Sequence, residues 1–166
     1  MSKIKIFAFI ALIALAFGLA LVGDAVAGEK FKLRPVWYGV KFEPVNVPGE
    51  EGRILFVMEQ KGILTVLQGS KLLDGMVGSD VFYGDLNTKT GTGSGGGVIE
   101  WTDRDGDKIY WAWEAKVVKG VWSGPITSVR GTGKFEGLKG KATWIAFAAA
   151  PNQDYVDWDG ELEWPR

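Results

Sequence analysis

Asp103-Arg104-Asp105-Gly106-Asp107 sets three carboxylates at alternate positions, the donor type that a hard cation such as calcium prefers. In an EF-hand loop the glycine follows the third ligand; here it precedes the third carboxylate, and the flanks alternate like strands rather than helices. Asp-Gly is also a hairpin-turn signal in its own right. A turn is therefore expected at 103–107, with no bound metal. A second acidic set, Asp157, Asp159, Glu161 and Glu163, raises glycoside hydrolysis. That chemistry needs two carboxyls facing each other across a substrate. Neighbours two apart on one strand face the same way, so these four read as a wetted outer surface. Among eight tryptophans, Trp111, Trp113 and Trp144 fall on strand segments where they could line an apolar pocket. Core filler is the competing role, because a small eight-stranded barrel is often filled by its own side chains.

The missing residue types narrow the chemistry further. The chain has no histidine and no cysteine. That excludes Ser-His-Asp triads, thiolate nucleophiles, His- or Cys-ligated metals and disulfides. No cofactor is expected. The formal net charge is −1, and no basic run with interleaved aromatics occurs. Nucleic acid is thus not an expected partner.

Short strands must position whatever site exists. In Tyr155–Trp164, Val156, Trp158, Leu162 and Trp164 fall on one face and the acids on the other, a strict period of two. Lys108–Val118 repeats it, with Ile109, Trp111, Trp113, Ala115 and Val117 together. Arg53–Gln60 and Gly62–Gln68 look like a hairpin turning at Lys61-Gly62. Further strands are predicted over 31–42, 79–87, 97–102, 125–131 and 141–149. The glycine-rich run 91–97 reads as a flexible loop or a flap over a mouth. Eight or nine strands with regular turn signals indicate an all-β sandwich or barrel, and closure would remove vulnerable edges.

The first 27 residues read as a targeting segment. Lys3 and Lys5 precede an apolar stretch, and Ala25-Val26-Ala27 offers a small-residue cleavage site. The expectation is a signal peptide over 1–27 and one domain over 28–166, exported to the periplasm or secreted. No membrane span is expected after processing.

Arg130-Gly-Thr-Gly-Lys-Phe-Glu-Gly-Leu-Lys-Gly140 frames Phe135 and Leu138 with four glycines and runs straight into an alternating segment. This string resembles the Gly-Thr/Ser-Gly-x-Phe-x-Gly-x-x-Gly signature of small eight-stranded barrels related to allene oxide cyclase and the dirigent proteins. The resemblance covers Thr102–Trp144 best. It implies a single antiparallel eight-stranded β-barrel and, since the plant relatives are trimers, a homo-oligomer. It brings no catalytic set that can be placed residue by residue. The leading expectation is a non-catalytic exported barrel that takes an apolar or aromatic small molecule. A cyclase- or dirigent-like enzyme steering a reactive intermediate and an envelope assembly subunit are the alternatives.

Overall fold

Period-two alternation produces eight strands: β1 (Glu29–Asn46), β2 (Arg53–Gln68), β3 (Val77–Asn87), β4 (Thr92–Thr102), β5 (Lys108–Val118), β6 (Val121–Gly131), β7 (Lys139–Ala150) and β8 (Gln153–Glu163). The computed structural model describes residues 28–165, so the leader expected over 1–27 lies outside the described residues. Each strand pairs antiparallel with its sequence neighbours, and β8 returns to β1 with Phe31 opposite Gly160 and Trp37 opposite Asp154. The result is a closed antiparallel eight-stranded barrel. Among the described residues, no helix is long and apolar enough to cross a membrane.

Two expectations about glycine need correction. No hairpin forms at Lys61-Gly62, because β2 continues through it without a break. Gly62 is there for packing: a Cβ at this position would lie 2.6 Å from the Trp37 ring and from the Val36 carbonyl oxygen. The run 91–97 is not a loop either, since it becomes strand from Thr92 onward. A side chain at Gly97 would sit 2.5 Å from the Phe82 Cβ. Gly62 thus admits the Trp37 ring from β1, and Gly97 admits the close approach of the β3 backbone at Val81–Phe82. Merging 53–60 with 62–68 settles the strand count at eight.

The two ends of the barrel differ, and the connections explain why. At one end β2–β3 carries a 3₁₀ turn at Lys71–Leu73, and β6–β7 carries another at Gly133–Phe135. These bring Leu73, Met76, Phe135 and Leu138 into the core, with Phe135 wholly buried. Phe31, Ile109, Trp111 and Leu162 complete this plug. The glycine-framed string 131–140 forms the second of these turns, and its two apolar residues close the barrel. At the other end the connections Val47–Gly52, Thr88–Gly91, Lys119–Gly120 and Pro151–Asn152 bury nothing. That end stays open.

The 103–107 turn forms as expected. One Asp103 carboxylate oxygen accepts from the backbone N–H groups of Asp105 and Asp107, both at 2.9 Å. The Lys134 ammonium pairs with Asp103 and Asp105 from the neighbouring 3₁₀ turn. Burial alone would raise the Asp103 carboxyl, but Lys134 and the two backbone donors hold it below its usual range. A lysine thus stands where a cation would sit. Among the described residues, no group of three or more acidic side chains gathers to hold a metal. Millimolar calcium is expected to leave the thermal midpoint unchanged. Binding at a hundred times Kd would add about 2.7 kcal/mol and raise it by several degrees.

Asp157 and Asp159 of β8 behave as outer-wall groups. Asp157 forms a two-point pair with Arg34 at 2.6 and 2.9 Å, and Asp159 meets Lys32. Strand β3 is inverted. Its outward positions Val77, Val81 and Tyr83 are exposed, while Asp80 points inward among Gly78, Phe82 and Gly84.

Candidate functional site

Small turns at one end leave the upper part of the barrel unfilled, and inward residues from all eight strands surround the space. The cavity measures about 410 Å³. Its walls carry Trp37 from β1, Phe56 from β2, Phe82 from β3, Trp113 from β5, Trp122 from β6, Trp144 from β7 and Trp158 from β8. The rings brace one another. Trp113 meets Trp144 edge-on with centroids 5.2 Å apart, and Phe82 lies 5.2 Å from Trp113. Phe56 contacts both Phe82 and Trp122 at 6.0 Å. Ala146, Ala148 and Ala150 keep the β7 side low and widen the mouth.

One row of polar groups interrupts this apolar lining. Gln60 and Asp80 face each other in the β2–β3 register, and they are 7% and 4% exposed. The Trp113 indole Nε1 donates to Asp80 Oδ1 at 3.1 Å. Asp154, opposite Trp37 on the β8–β1 seam, also lines the cavity, and its Oδ1 is buried without a hydrogen-bond partner. Burial pushes the Asp80 carboxyl up to about 7; the Trp113 donor opposes the shift and the Asp154 charge adds to it. Asp154 is raised as well, chiefly by burial, against the Gln60 amide beside it. Among the described residues, no lysine or arginine lines the cavity. The arrangement offers an apolar aromatic chamber, two carboxyls and no internal counter-charge.

Of the three tryptophans expected at a ligand wall, the barrel brings Trp113 and Trp144 together and leaves Trp111 out. Trp111 is one pleat deeper on β5, packed edge-on against Phe31 at 6.2 Å and Trp158 at 5.6 Å. It belongs to the plug, where Gly140 makes room for its ring. Trp144 is held by its own indole Nε1, which donates to the Pro125 carbonyl at 3.3 Å. Sequence reasoning missed Trp37, Trp122, Phe56, Phe82 and the polar row. The available signal was parity: Asp80 and Phe82 share one face of β3, opposite Val81 and Tyr83.

No protein-family model matches the chain, and no curated protein matches it. Among solved structures it is similar to a pyocyanin demethylase at 15% identity, covering 80% of this chain and 99% of that one with a TM-score of 0.45. It is also similar to a pterocarpan synthase dirigent protein at 15% identity, covering 87% and 96% with a TM-score of 0.48. At this distance the two structures inform neither activity nor ligand, and the barrel stands on the closed ladder of this chain's own strands.

Proposed function

We propose that the protein is an exported small barrel that binds an apolar or aromatic small molecule in the open end of its cylinder. One observation carries this reading: a cavity of about 410 Å³ walled by braced aromatic rings and opening past turns that bury nothing. Small-molecule sites span roughly 300–1,000 Å³, mostly apolar with a few placed polar groups. Filling such a space removes ring surface from water at about 25 cal/mol per Å². Five lining tryptophans make the test direct. Titration with a neutral naphthalene probe should quench or blue-shift indole emission and saturate at one probe per chain. A flat titration, together with a size that grows with concentration on chromatography, would instead favour an assembly subunit. Export is checked separately by the mass of the processed protein, which should begin at Gly28.

Asp80 favours a second reading, an enzyme that steers a reactive intermediate as allene oxide cyclase and dirigent proteins do. A carboxyl pushed up to about 7 can hold or release a proton at neutral pH against a bound substrate. This reading requires turnover of an unstable epoxide or radical-derived substrate, and that turnover must fall steeply in Asp80→Asn.

A further inference from the structure

The walls of the cavity say aromatic; its polar row says more about charge. Asp80 is nine-tenths buried or more, takes one hydrogen bond from Trp113, and has Gln60 and Ile99 as its register partners on β2 and β4. Asp154 faces the same space from β8 with an unpartnered buried oxygen. Every basic side chain of the described residues lies outside this lining. Elsewhere the protein pairs its carboxylates readily, as with Arg53 and Asp85 at 2.7 Å or Lys108 and Glu100 at 2.7 Å. Inside the cavity, no side chain of the described residues supplies the cation of such a pair.

Resting on the reading of this cavity as a ligand site, we infer that its ligand is an organic monocation, a protonated amine or quaternary ammonium on an apolar or aromatic frame, seated beside Asp80 and Asp154. Two physical terms favour this class over a neutral one. Tryptophan and phenylalanine rings attract a cation over their faces, more strongly once water is excluded. A neutral apolar occupant would leave the ionised Asp80 and Asp154 without a counter-charge in a dry space, whereas a cation offsets their desolvation.

The two classes also carry opposite proton linkage. The groups that face Asp80 are Gln60, Trp113 and Asp154, so only the two carboxyls titrate there. A cation binds the ionised pair and should weaken as pH falls below about 7. A neutral ligand favours the protonated carboxyl and should tighten over the same range.

The experiment compares trimethylphenylammonium with its uncharged isostere tert-butylbenzene on the full mature protein, by indole emission at pH 8 and pH 5. At pH 8 the ammonium should bind at least tenfold tighter, and at pH 5 that preference should shrink to under threefold. Asp80→Asn keeps an acceptor for Trp113 and should abolish most of the preference while still binding tert-butylbenzene. Asp154→Asn, at a less buried position, should reduce it in the same direction. Equal or tighter binding of tert-butylbenzene at pH 8 overturns the cationic assignment and leaves the cavity reading standing. A preference that survives both substitutions overturns it too. Binding of neither probe overturns the cavity reading and this inference together.

Discussion

Phe135→Ala should destabilise the barrel by about 3–5 kcal/mol, the usual cost of truncating a fully buried phenylalanine. Phe135 is 0% exposed and sits in the 3₁₀ turn that closes one end. Its ring packs beside Trp164 at 6.3 Å, so its loss leaves a hole next to that indole. The backbone of Gly131 runs directly against the Phe135 carbonyl, which limits how far the turn can collapse into the hole. Thermal unfolding should show a drop of roughly 10–20 °C. A loss below 1 kcal/mol would mean that the far end is closed by something other than this turn.

Asp80 should make the protein more stable in mild acid than at alkaline pH. Its folded-state carboxyl titrates at about 7 against 3.8 for the free side chain, because burial disfavours the charge. The folded chain therefore binds more protons than the unfolded chain between these values, and stability falls as pH rises. The contribution is fully present below about 4 and lost through about 7, worth as much as about 4 kcal/mol. Asp154, also raised by burial, acts in the same direction. Asp85 and Glu100 are lowered by Arg53 and Lys108 respectively, and Asp103 is lowered too. Their contributions are present above the ordinary carboxylate range and vanish only below it, so the window from 4 to 7 belongs to the cavity. Urea midpoints should be higher at pH 5 than at pH 8, and Asp80→Asn should flatten the difference. A wild-type midpoint that is unchanged or higher at pH 8 would show that Asp80 is already ionised in the folded protein.

Strands with one wet face were legible because their chemistry alternates. β5 and β8 place indoles and aliphatics on one side and charges on the other, and both lie as expected. Glycine misled for a physical reason. Gly62 and Gly97 look like turn residues in a sequence, yet Gly62 clears space for the Trp37 ring and Gly97 for the β3 backbone at Val81–Phe82, contacts that exist only after pairing. Depth misled as well. Parity tells that Trp111 and Trp113 point inward, but not which lies above the plug and which within it. That distinction depends on Leu73, Met76, Phe135 and Leu138 arriving from connections remote in the chain. Asp80 was hidden by inversion, since its strand carries apolar Val81 and Tyr83 on the outside. Asp154 fell between the strands expected over 141–149 and 155–164 and instead begins the inward row of β8.

The central claim is that the open end of the barrel houses a small molecule. Mass spectrometry of compounds retained from native extract tests it most directly, with wild type compared against Ala146→Trp. Ala146 is on the low side of the chamber, and an indole there would occupy the ligand's space. The account predicts a compound held by the wild-type protein at about one per chain and lost from the filled variant. Identical contents in the two preparations, whether the same compound or none, would contradict it.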